Sequence, residues 1–306
     1  MIDFMRNKQW FFLFSAIAMV ISIIALAVFG LKPGIDFTGG TSMTLRFNPQ
    51  VSQEDLRQEL MTFGHAEVII QSSGDDFLLR MKEIAPSERE ELISVLEEDL
   101  NAEVMVRDYN TISPSIATET AKSAGIAVMI ASVAMLFYIA WAFRRMPNPF
   151  RWGTCAIIAL IHNIVFVAGI FSILGKTTNI EIDALFLTGV LTIVGYSINN
   201  TVVVFDRIRE NIVKGISPDF AITVNSSLLE TLGRSLNTSL TTICVILALF
   251  LFGGATIHNF MLVLLIGLLA GTYSSLFIAG PMLVVWEKKE WRQMFSGLSF
   301  SRKSTQ

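Results

Sequence analysis

Six long apolar stretches alternate with polar ones along the chain, at about Trp10–Gly30, Ala124–Phe143, Gly153–Leu174, Ala184–Phe205, Leu236–Gly253 and Phe260–Trp286. Each approaches the roughly 20 residues that a helix needs to cross a bilayer. The pattern therefore predicts six membrane-spanning helices, spans 1 to 6. One long polar stretch, about residues 34–120, separates span 1 from span 2. Inside it the periodicity changes. Thr41–Phe47 alternates as a strand does, and Ser52–Gly64 reads as a helix with Ser52 as N-cap and Asp55 three residues on. Glu67–Gln71 and Phe77–Lys82 read as strands joined by a Ser-Ser-Gly-Asp-Asp hairpin. Ser87–Leu100 reads as a second helix with Ser87 at its cap and Glu90 three on, and Glu103–Tyr109 as the last strand. The order β-α-β-β-α-β is that of a ferredoxin-like split βαβ domain. The expected organisation is a tail and first span at 1–33, this α+β domain at 34–120, spans 2–6 at 121–290, and a tail at 291–306.

Composition agrees with a polytopic membrane protein: 52% of residues are hydrophobic, 16% are charged, and the mean hydropathy is +0.57. Orientation follows from Lys and Arg near the spans. With the N-terminus inside, the cytoplasmic flanks hold Arg6, Lys8, Arg144, Arg145, Arg151, Arg207, Arg209, Lys214, Arg234, Lys288, Lys289, Arg292, Arg302 and Lys303. The short outer flanks hold only Lys32, Lys122 and Lys176. Both termini are then cytoplasmic and residues 34–120 extracytoplasmic. Span 1 follows a basic leader and precedes Ala25-Leu26-Ala27, as a signal peptide does. Its apolar run exceeds the 7–15 residues of a signal core, so it reads as a retained anchor.

The polar stretch carries 17 acidic and 6 basic side chains, a net charge of about −11. Such a surplus argues against nucleic acid as a partner and otherwise suits a solvated surface. Cys155 and Cys244 both fall inside spans, which leaves neither a disulfide framework nor a metal-ligand spacing. Both read as small apolar packing residues.

The most informative segment is Leu185–Asn211, LFLTGVLTIVGYSINNTVVVFDRIREN. Tyr196, Asn199, Asn200 and Val203 share a helix face by their spacing. Carboxamides in a bilayer-length segment need a protein neighbour or a wet cavity. Such a stripe marks either a functional site or hydrogen-bonding between helices. Asn199 and Asn200 stand about 9–10 Å above Asp206 at 1.5 Å per residue. Thr238, Thr241 and Thr242 stand about 6–12 Å above Arg234 on the next, antiparallel span, so the polar patches occur at matching depth. Asp206 and Arg234 reach the same boundary and are candidates for an ion pair. His162, beside Asn163 in span 3, is either a proton relay or a hydrogen-bonded packing residue.

Elsewhere the readings are structural. Gly34-Ile35-Asp36-Phe37-Thr38-Gly39-Gly40 is a Gly-rich junction between span 1 and the domain. No GK[ST] follows it, so it is not a phosphate loop, and its glycines suit a tight backbone path. Ile112-Ser113-Pro114 reads as an extended hinge. Ser217-Pro218-Asp219 opens a short interfacial helix through Leu232. Gly267, Gly271, Ser275 and Ala279 form a small-residue stripe along which a helix can pack closely. There is no HExxH, no GxSxG and no pair of carboxylates within a span, so no enzyme and no cofactor is expected.

Gly34–Gly40 (GIDFTGG), Gly195–Asn211 (GYSINNTVVVFDRIREN), Arg234 with Thr238–Thr242, and Gly271–Ala279 (GTYSSLFIA) resemble the SecD–SecF family of protein-export membrane subunits, within the resistance-nodulation-division superfamily. The resemblance covers nearly the whole chain. It implies a non-enzymatic subunit of the bacterial inner membrane that pairs with SecD beside the SecYEG channel, with YajC as companion. Such a pair uses the proton-motive force to draw unfolded preprotein outward. The resemblance would place Asn199, Asn200, Asp206, Arg234 and Thr238 at a proton path where the helices of the two subunits meet. The family commonly has Asp where this chain has Asn163 and Asn200, and asparagine keeps the hydrogen bonds while losing the titratable proton. Two other readings fit the same pattern: a half-transporter for lipids or small molecules, and an assembly subunit without its own proton path.

Overall fold

The computed structural model describes residues 3–289. The expected tail at 291–306, with Arg292, Arg302 and Lys303, lies outside the described residues. The chain forms two compact units, one α+β and one helical.

The α+β unit comprises Leu31–Ala127 and Leu174–Leu187. In chain order it holds the short helix α2 (Ile35–Thr38), β1 (Gly40–Asn48), α3 (Gln53–Thr62), β2 (Ile69–Ser73), β3 (Asp76–Met81), α4 (Pro86–Asp99) and β4 (Glu103–Ile112). The four strands lie in the order β2-β3-β1-β4 with every pair antiparallel. The order of strands and domain helices is the one the sequence predicts. Alternation on β1 sends Met43, Leu45 and Phe47 into the core. Leu56 and Leu60 on α3 and Leu92 and Leu96 on α4 meet them, because residues four apart share a helix face. Burying each such side chain stabilises the unit by about 1.5–3 kcal/mol.

Local chemistry sets the ends. Ser52 caps α3 by accepting the Asp55 N–H at 3.1 Å, as expected. Helix α4 differs from expectation: its cap is Ala85 rather than Ser87, and Glu88 rather than Glu90 reaches back, accepting the Ala85 N–H at 3.4 Å. Pro86 explains the shift, since its fixed φ suits the first helical turn. The junction is a single helical turn, α2, followed by Gly39 at φ +77° and Gly40 at φ +128°. Any side chain at Gly40 would place its Cβ 2.5 Å from the Met81 carbonyl oxygen on β3. Pro114 is not an extended hinge. It opens a helix, where its missing N–H costs nothing.

Among the described residues six helices are long and apolar enough to cross a membrane. They are α1 (Lys8–Phe29), α5 (Pro114–Ala142), α6 (Pro149–Thr177), α7 (Ala184–Lys214), α8 (Phe220–Phe252) and the run α9 (Ala255–Ser274), a π-turn (Ser275–Ala279) and α10 (Gly280–Glu287). The helical unit holds residues 3–30, 128–173 and 188–289 of them. Most helices outrun their apolar stretches, because polar residues continue a helix as well as apolar ones do. The expected interfacial helix ending at Leu232 is the clearest case. The structure has one continuous α8, capped by Asp219, whose carboxylate accepts the Ala221 N–H at 2.8 Å.

Packing in the helical unit centres on Phe143, Trp152 and Phe205, with ring centroids 5.1 Å apart for Phe143–Trp152 and 5.3 Å for Trp152–Phe205. The small-residue stripe lies against α7. A Cβ on Gly267 would fall 2.0 Å from Ile193 Cδ1, and one on Gly271 would lie 3.3 Å from Ser197 Cβ. Cys155 is buried, whereas Cys244 is exposed on α8 instead of packed.

Candidate functional site

Two polar seams cross the helical unit, both anchored on α7. The first joins α6, α7 and the π-turn. His162 Nδ1 lies 3.2 Å from Asn163 Oδ1, and Asn163 Nδ2 donates to Ser197 Oγ at 2.8 Å. On the far side of Ser197, the Ser275 hydroxyl is 3.0 Å from Thr201 Oγ1 and 3.3 Å from the Ser197 carbonyl. Asn163, Ser197, Thr201 and Ser275 are all essentially inaccessible. Gly271 makes this contact possible, since α9 approaches Ser197 where it carries no side chain.

The second seam joins α7, α8 and α9. Tyr196 donates its hydroxyl to Ser239 Oγ at 3.3 Å, and Thr272 donates to the same oxygen at 2.7 Å. Further along the antiparallel pair, Asn211 Nδ2 donates to Ser227 Oγ at 2.9 Å and to Glu230 Oε2 at 3.0 Å. Arg207 pairs with Glu230 and, at 2.6 Å, with Glu210. The side chains on α8 are Ser227, Thr231, Ser235 and Ser239, one per turn and all buried. Sequence reasoning missed this stripe, although its four-residue spacing was visible.

The residues chosen from sequence separate into a buried and an exposed set. Asn200 and His162 are buried, whereas Asn199, Asp206, Arg234, Thr238 and Thr241 are exposed and Thr242 is half-buried. The three threonines bond carbonyls of their own helix, at Arg234 and Thr238. Asp206 does not pair with Arg234. It pairs with Arg209 three residues on, at 2.7 Å, and Arg234 forms no ion pair among the described residues. The reason is rotational: Asp206 and Arg234 lie on the exposed sides of their helices, away from the seam that joins α7 to α8.

In the α+β unit the junction residues meet the loop before α7. Gly34 N–H donates to the Ile182 carbonyl at 2.7 Å, and Asp36 accepts the Ala184 N–H at 2.7 Å, satisfying one open donor at the start of α7. Phe37 is half-buried, and Gly39 N–H closes α2 on the Ile35 carbonyl at 2.8 Å. Glu181, only 3% exposed, faces Arg80 of β3 at 2.7 Å and Lys32 at 4.0 Å. Burial pushes the Glu181 carboxyl above its ordinary range against the pull of Arg80 and Lys32. Burial also raises Asp183, helped by nearby Asp36. Neither Glu181 nor Arg80 had a local sequence signal.

Hydroxyls and amides dominate the seams, and they can exchange hydrogen bonds and hold water. Among the described residues no group of three His, Cys, Asp or Glu is placed to hold a metal ion. Six apolar helices around such seams, with one α+β domain, define a multi-pass membrane protein. Residues 93–289 match the family model described as protein export membrane protein SecD/SecF, C-terminal, and residues 24–51 match the SecD/SecF GG motif. The chain belongs to this SecD/SecF family, on its SecF side. It is 43% identical to the protein translocase subunit SecF of Thermobaculum terrenum, over 96% of this chain and 97% of that one. It is 34% identical to the protein translocase subunit SecDF of Bacillus subtilis, over 94% of this chain but 38% of that longer protein. The crystal structure of SecDF from Thermus thermophilus, a translocon-associated membrane protein, superimposes with a TM-score of 0.84 at 34% identity, covering 94% of this chain and 39% of that one.

Proposed function

We propose that the chain is the subunit that, with a SecD partner, assists preprotein movement through SecYEG across the bacterial cytoplasmic membrane under the proton-motive force, with YajC as a companion. It acts without enzymatic chemistry of its own. Both termini are cytoplasmic, and the acidic, ferredoxin-like domain at 34–120 stands outside. The observation that carries the reading is the exposure of polar side chains on two apolar helices, Asn199 on α7 and Arg234, Thr238 and Thr241 on α8. Lipid does not satisfy amides or a guanidinium, so such side chains call for protein or water against them. A partner's helices suit this need, and the greater length of the SecDF relatives leaves room for them.

Asn163 and Asn200 assign the titrating carboxylate to the partner, since neither amide takes up a proton near neutrality. In vesicles holding the chain, its partner and the channel, an imposed gradient should stimulate preprotein movement, and Asn200→Leu should remove the stimulation while the complex still assembles. Full stimulation by Asn200→Leu would refute the proton reading and favour the second one, an assembly subunit, which the two asparagines also suit. Topology is tested separately. A cysteine at Asp75 should react with an impermeant reagent from outside and one at Ile216 only from inside, both positions being exposed. Outside labelling at 216 would reverse the orientation.

A further inference from the structure

Between the rungs of the second seam lies one that the protein does not close. Tyr196 on α7 meets Ser239 on α8, and Asn211 meets Ser227 near the other end of the pair. Four residues on from Tyr196 is Asn200, and four residues back from Ser239 is Ser235. Because the helices run antiparallel, both steps lead about one turn in the same direction. Asn200 and Ser235 therefore occupy the same rung. Asn200 is 8% exposed and Ser235 2%, yet Asn200 Nδ2 and Ser235 Oγ each have no hydrogen-bond partner among the described residues. A serine within a helix can turn to the carbonyl four residues before it, as Ser227 does at 2.7 Å. Ser235 does not, so its hydroxyl remains available to a ligand.

Each of these residues has an exposed polar neighbour in the chain, Asn199 beside Asn200 and Arg234 beside Ser235. The unclosed rung thus has an exposed polar residue next to it in the chain on each helix.

We propose that Asn200 and Ser235 together bind an ordered water, and that Ser235 is the residue on α8 that completes this hydrated site. Asn200 Nδ2 donates to the water oxygen and the water donates to Ser235 Oγ, which satisfies both buried groups. The water's second proton and remaining lone pair stay free to exchange. Its role in export rests on the proton reading above, whereas its presence does not.

A density map of the full chain that resolves ordered waters tests the site. A peak within hydrogen-bonding distance of both Asn200 Nδ2 and Ser235 Oγ is expected, kept in Ser235→Thr and lost in Ser235→Val. A direct bond between the two side chains, or a dry gap in the wild type, would overturn the proposal. Gradient-stimulated export of the same variants separates the two ideas. It should fall severalfold in Ser235→Val and persist in Ser235→Thr. If the peak behaves as expected while export stays constant, the hydrated site stands and the proton reading falls.

Discussion

Replacing Arg234 by methionine will cut gradient-stimulated export about tenfold or more, with the variant folded and still in the membrane. Arg234 is exposed on an apolar helix and forms no ion pair among the described residues. A guanidinium remains charged at all accessible pH and offers five donors. At the inner end of an apolar bundle, with no counter-ion among the described residues, it calls for an acceptor from outside this chain, and a carboxylate of the partner is the chemistry that fits. Methionine keeps the apolar stem and removes the charge, leaving that carboxylate without its counter-ion; truncating one side of such a pair costs at least about tenfold. Arg144 is the control, since it is also exposed but lies over the Trp141 ring in the turn between α5 and α6. Copurification with the partner and preprotein movement in energised vesicles are the measurements. If Arg234→Met and Arg144→Met behave alike and mildly, Arg234 is an anchor at the membrane boundary and no proton path runs beside it.

The elements were legible in the sequence and the facings were not. An apolar run of bilayer length has few alternatives to a helix, so the spans follow from Trp10–Gly30 and its five successors with little ambiguity. Alternation and capping likewise gave the order of the α+β unit. Rotation about α8 was open in the sequence. Thr238, Thr241 and Thr242 share one face, and Ser227, Thr231, Ser235 and Ser239 share another. Either set can satisfy its hydroxyls on its own helix, so neither betrays itself by an unmet need. The structure selects the serine stripe, because only it meets Tyr196 and Asn211 of α7. The continuous α8 was hidden by Glu230 and Arg234, whose charges end an apolar window without ending a helix. The Arg80–Glu181 pair had no local trace at all, because it joins residues a hundred positions apart through a tertiary contact.

That pair should dominate the stability of the α+β unit, and its pH dependence gives the test. Arg80→Met should destabilise the unit by about 3–5 kcal/mol near neutral pH, because it leaves the buried Glu181 carboxylate without its closest counter-ion. The sign of the pH effect follows from the direction of the shifts. Burial holds the Glu181 carboxyl above its ordinary 4.5 in the folded chain, and Asp183 above 3.8. The folded state therefore binds these protons more tightly than the unfolded one. Their contribution is fully present below about 4.5 and is lost as pH rises through the raised folded values. Removing Arg80 takes away the main pull downward on Glu181, so the variant should lose most at high pH and recover part of the loss as Glu181 protonates. Arg80→Met combined with Glu181→Gln should recover most of it at every pH, since the uncompensated charge is gone. Melting midpoints of the full chain between about pH 5 and 8 supply the measurement. A loss in Arg80→Met that is the same at both ends of that range, and that Glu181→Gln leaves unrelieved, would mean that Arg80 acts through packing of its stem. The loop before α7 would then be held by the Gly34–Ile182 backbone bond and by the Asp36 carboxylate on the Ala184 N–H rather than by the Arg80–Glu181 pair.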